Sequence, residues 1–93
     1  MRRQSAAAQL YARLRAHPQN VSFLEAVRLA RLVGFEELRT SGSHHIFGHR
    51  RHRWLMLNLQ ERRGEAKPYQ VRQLVTLIED HDLLEDGWRS DIP

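Results

Sequence analysis

The sequence predicts an α+β domain: two helices, a three-stranded antiparallel sheet and a closing helix, with helices on one face of the sheet. Three observations lead there. Apolar residues recur at helical spacing in three stretches, over residues 5–16, 22–33 and 68–81. Between the second and third stretch the apolar period changes to two, the signature of strands. A Ser-Gly-Ser turn at 41–43 and a positively charged run over 48–53 divide that region into three segments.

The first helix is predicted over residues 5–16, where Ala7, Leu10, Tyr11 and Leu14 share a face and Ser5 stands at the cap. Pro18 ends it, because a proline disfavours helical backbone at the residue before it. This helix reads as an addition to the main body, so residues 1–21 are expected to form an N-terminal extension. The second helix carries the strongest start signal in the chain. Ser22-Phe23-Leu24-Glu25 has the form of a capping box, in which serine hydroxyl and glutamate carboxylate each take the other residue's backbone N–H. Phe23, Ala26, Val27, Ala30 and Val33 make its apolar stripe, and Gly34 stands where a left-handed stop belongs.

Strands are predicted over 35–39, 44–49 and 54–60, the last with Leu55, Leu57 and Leu59 on one face and Trp54, Met56 and Asn58 on the other. Residues 61–67 read as a polar loop, and Pro68 suits the first turn of the final helix, whose stripe is Val71, Leu74, Val75 and Ile78. The predicted main domain therefore covers 22–82, followed by a tail over 83–93 with Leu83, Leu84 and Trp88 as packing anchors.

With 93 residues, 41% of them hydrophobic and 28% charged, the chain is one small globular domain with a thin core. The absence of cysteine excludes disulfides, thiolate metal sites and a cysteine nucleophile. No signal peptide is expected, since the basic N-terminal residues lack an apolar run behind them, and no stretch approaches membrane-spanning length. The expected location is the cytoplasm. A formal charge of +4, with arginine far outnumbering lysine, suggests a polyanionic partner.

Alternation divides the middle strand into His44, Ile46 and Gly48 on one face and His45, Phe47 and His49 on the other. Phe47 is the better core residue, which sends His44 to the open face beside Ile46, Trp54 and Met56. Around it the sequence offers Arg39, Arg50, Arg51, Arg53 and His49. This combination suits single-stranded RNA: guanidinium forks bind phosphates, aromatic rings stack on bases, and imidazole moves protons near neutrality. Cleavage needs a base for the 2′-OH and an acid for the leaving oxygen, and His44 is the candidate for one of them. His45, His49 or an arginine are the candidates for the other. A shared metal ion is disfavoured, because neighbouring His44 and His45 point to opposite faces of a strand and no carboxylate lies close by in sequence.

Gly34-Phe35, Arg39, Gly42-Ser43-His44 and Phe47, in this order of elements, resemble the HicA family of bacterial toxins, small mRNA-cleaving ribonucleases of type II toxin–antitoxin pairs. The likeness spans about residues 23–81. It implies a double-stranded-RNA-binding-domain-like fold, mRNA cleavage without metal or other cofactor, and His44 as the catalytic histidine. Arg39, Gly42, Ser43, His45, His49, Arg50, Arg51, Arg53 and Trp54 are the accompanying candidates for RNA contact. The implied protein partner is a HicB-like antitoxin that covers the histidine and sets the oligomeric state. The sequence departs from the family pattern in its extra first helix and in the Arg62-Arg63-Gly64 segment, where a Pro-x-His is common. A non-catalytic RNA-binding module of the same fold is the alternative. A further one is a protein-interaction domain using the Trp54/Met56 face.

Overall fold

The computed structural model describes residues 5–84. Three helices, α1 (Ala6–Ala16), α2 (Phe23–Leu32) and α3 (Pro68–Asp80), accompany four strands, β1 (Phe35–Ser41), β2 (His44–His49), β3 (Met56–Arg62) and β4 (Glu65–Ala66). The sheet is an antiparallel meander in the order β1-β2-β3-β4. It therefore has four strands where the sequence reading expected three.

The helix starts follow from their caps. Ser5 Oγ accepts from Ala8 N at 3.1 Å. In the α2 capping box Glu25 N donates to Ser22 Oγ at 3.0 Å and Ser22 N donates to Glu25 Oε1 at 3.1 Å. Pro68 occupies the start of α3, where its missing N–H would have had no intrahelical partner.

The fourth strand comes from a hairpin inside the segment expected as a loop. Arg62 pairs with Glu65 across a two-residue turn in which Arg63 (φ +54°) and Gly64 (φ +82°) are both left-handed. Two positive φ values at the centre of a two-residue turn define a hairpin whose twist matches its strands. The other edge of β4 meets the lead into α2, with Ala66 N donating to Val21 O at 3.0 Å and Phe23 N donating to Gly64 O at 2.9 Å.

One core joins all of this. Phe35, Phe47, Leu57 and Leu59 from the sheet pack with Ala26, Leu29, Ala30 and Val33 of the α2 region and Val71, Leu74 and Ile78 of α3. Ala7, Leu10 and Leu14 of α1 belong to the same cluster, as does Leu83 beyond α3. Tyr11 and Arg15 tie α1 to α3 by donating to Glu79 Oε2, at 2.5 and 3.0 Å. Trp88, expected as a packing anchor, lies outside the described residues. No helix among the described residues is long and apolar enough to cross a membrane.

Candidate functional site

Phe47 is wholly buried and His44 is exposed, so β2 sends the phenyl ring toward the helices and the imidazole to the uncovered face. The register then builds the surroundings of His44. Across β2 and β3 the pairs are His44↔Gln60, Ile46↔Asn58 and Gly48↔Met56; across β1 and β2 they include Ser41↔His44 and Arg39↔Ile46. Directly opposed residues share a face, and so does every second residue along a strand. Arg39 on β1 and Arg62 on β3 are thus diagonal neighbours of His44 on the open face, at roughly 7–8 Å. Among the described residues neither Arg39 nor Arg62 has an ion-pair partner.

Two backbone features create this arrangement. The β1–β2 connection is a two-residue turn, Gly42-Ser43, with Gly42 at φ +59° in its first position, which only glycine takes readily. Ser43 O accepts from Glu61 N at 3.1 Å, so the turn is also pinned to β3. The second feature is a bulge between Glu37 and Arg39. Strict alternation from the buried Phe35 would carry Arg39 to the helix side; the extra residue brings it to the open face instead. Leu38, at the bulge, lies over Gly48, where a Cβ would stand 2.9 Å from its Cδ1.

Among the described residues His44 has one side-chain partner. Asn58 Nδ2 donates to His44 Nδ1 at 3.3 Å. The Oδ1 of the same amide is buried and, among the described residues, has no hydrogen-bond partner. Sequence reasoning placed Asn58 on this face without giving it a role. It also passed over Arg62, assigned to a loop because nothing local marks Arg63-Gly64 as a strand-pairing turn.

The other predicted residues go elsewhere. His45 lies on the helix side, its ring 4.6 Å from that of Phe23 and its Nδ1–H donating to Glu37 Oε2 at 2.7 Å. Thr40 Oγ1 donates to the same carboxylate oxygen, and Arg31 approaches the other at 3.7 Å. The Thr40 hydroxyl foremost, and then His45, hold the Glu37 carboxyl below its ordinary value of 4.5. His45 therefore does not share a face with His44.

His49, expected on a basic rim, is only 3% exposed. Its Nδ1 accepts the backbone N–H groups of Arg51 and His52, at 3.1 and 3.0 Å. That leaves the proton on Nε2, which donates to Val33 O at 2.7 Å. This ring organises the β2–β3 loop and is not displayed to solvent. Arg50, Arg51 and Arg53 follow the far end of the six-residue β2. At about 3.3 Å per residue they begin some 20 Å from His44. Trp54 precedes β3 instead of opening it; the side chain is 70% exposed, with its ring 5.2 Å from that of His52. Met56, at 47% exposure, is on the open face as expected. Among the described residues no three His, Asp or Glu side chains are grouped to hold a metal ion.

Compared with known proteins, the chain matches no family model, no curated protein and no solved structure.

Proposed function

We propose that this protein is a HicA-like toxin of double-stranded-RNA-binding-domain-like fold, an endoribonuclease that cleaves mRNA in the cytoplasm with His44 as its proton-transfer group. One observation carries the reading: an exposed imidazole on an uncovered sheet face, held by Asn58 and flanked on both sides by the unpaired Arg39 and Arg62. A phosphodiester lying across β2 meets a guanidinium on either side, each a forked donor for phosphate oxygens and for charge developing on them. His44 takes the proton of the adjacent 2′-OH. The 2′ oxygen forms its bond to phosphorus as the phosphorus–5′ oxygen bond breaks, and the leaving oxygen takes a proton from solvent water, giving a cyclic phosphate and a free 5′-OH. A HicB-like antitoxin is the protein partner, covering His44 and so blocking the strand.

RNA binding without cleavage is the second reading, and one observation favours it. The register neighbours of His44 are Ser41, Arg39, Ile46, Asn58, Gln60 and Arg62, with no carboxylic acid or second histidine among them. Expression of the wild type beside His44→Ala separates the two. Cleavage predicts growth arrest and loss of transcripts with the wild type alone. Binding without cleavage predicts salt-sensitive RNA affinity and no new 5′-OH ends from either protein.

A further inference from the structure

We infer that Asn58 is the positioning residue of His44: its side-chain carbonyl holds the imidazole by Nδ1–H and leaves Nε2 as the outward atom that exchanges protons. The inference rests on the reading of His44 as a proton-transfer group. It starts from two facts about one amide, the 3.3 Å contact of Nδ2 with His44 Nδ1 and the buried Oδ1 that nothing satisfies.

Whether it acts as base or as acid, His44 passes through the imidazolium, in which both ring nitrogens carry hydrogen and neither accepts. An amide that presents its NH2 to Nδ1 is then donor against donor. Turning the amide by half a rotation about its last side-chain bond exchanges nitrogen and oxygen with almost no change of shape. Oδ1 now accepts from Nδ1–H, an arrangement that suits both the neutral Nδ1–H ring and the imidazolium, while the NH2 takes the buried position that Oδ1 had. Nε2 is the remaining nitrogen, and it carries a lone pair in the neutral state. The opposite tautomer, with Nδ1 accepting from Asn58, has its outward nitrogen already protonated and cannot act as a base.

The placement is rigid for a reason found in the sheet. Asn58 stands opposite Ile46 on β3, and His44 is two residues along β2, so the amide reaches the ring along the diagonal of a paired ladder. Gln60, directly opposite His44, has its backbone N–H fixed to Gln70 Oε1 at 2.6 Å, which anchors this part of β3 to α3. Positioning residues on strands hold a ring within the tolerance that proton transfer demands.

The test is a long-range 1H–15N correlation spectrum of the histidines in the free wild-type protein, at a pH where the rings are neutral. The expected result is His44 in the Nδ1–H form. A predominantly Nε2–H ring overturns the inference, whatever the protein does to RNA. In Asn58→Leu the Nδ1–H preference should vanish and RNA cleavage should fall about 100-fold in kcat with KM little changed. Asn58→Asp, which keeps an acceptor, should retain the tautomer and recover most of the rate. An Asn58→Leu variant with the wild-type tautomer and rate would equally overturn it. Should wild-type protein show the Nδ1–H ring, lost in Asn58→Leu, yet cleave no RNA, the positioning stands and the ribonuclease reading falls.

Discussion

A Cβ atom on Gly34 would stand 2.5 Å from Nε2 of His49. The two residues meet at the open end of the first hairpin, one before β1 and one ending β2, and the ring fills the space that the missing side chain leaves. Gly34 also has φ +106°, a conformation that side chains rarely adopt, and its carbonyl accepts from Arg50 N at 2.9 Å. The stop of α2 and the loop after β2 are thus one assembly.

That assembly predicts coupled mutational effects. Gly34→Ala should destabilise by about 2–4 kcal/mol through backbone strain and displacement of the ring. His49→Ala should cost a similar amount, about 2–4 kcal/mol, by leaving a carbonyl and two N–H groups without partners. In the double variant the alanine methyl meets no ring, so the combined loss should be smaller than the sum. Urea unfolding of the four proteins measures this, and strict additivity would show that the contact contributes nothing.

The division of faces on the sheet can be read from stability alone. Phe47→Ala, which empties a wholly buried site, should cost about 3–5 kcal/mol. Met56→Ala, at a half-exposed position on the other face, should cost less than about 1 kcal/mol. Similar losses for both would contradict the register.

On the proposed ribonuclease reading, the two groups of arginines should behave differently toward RNA. Arg39→Ala and Arg62→Ala, beside His44, should lower kcat and reduce the salt slope of binding by about one each. Arg50→Ala and Arg53→Ala, at the distant end of β2, should weaken affinity with kcat retained. A fall in kcat from the distant pair, equal to that from the near pair, would move the cleavage site away from His44.

Acid should weaken the fold through two glutamates. The Ser22 backbone N–H chiefly, with Arg13, holds the Glu25 carboxyl below its ordinary 4.5, and Thr40 and His45 do the same for Glu37. A lowered folded pKa means that the unfolded chain binds the proton more readily. The stabilisation is therefore complete above the ordinary value and is lost as pH falls through the lowered one. Thermal melts of the wild type across this acid range should show a decline in Tm that Glu25→Gln/Glu37→Gln makes shallower. An unchanged slope in that double variant would assign the acid sensitivity to other groups.

Much of the fold was legible locally. The Ser22–Glu25 box, the Gly34 stop and the alternation of Phe47 against His44 depend on residues within a few positions of one another, and each stands in the structure as read. The site was legible only at its centre. Arg62 reaches His44 because of a turn at Arg63-Gly64, and a left-handed arginine leaves no mark in the sequence. Arg39 owes its face to a bulge, and Asn58 owes its role to a ladder register. His49 looked like part of a basic surface because it adjoins one; its acceptor, Val33 O, lies 16 residues earlier in the chain.

By itself the sequence determined the three helices, the first three strands and which side of β2 is bare, because periodicity and capping are properties of neighbours along the chain. The tertiary structure decided which cations and which amide surround His44, and that His49 is interior. Those outcomes depend on how separate strands slide into register and on where a bulge falls, and the pairing energy that selects them exists only once the strands have met.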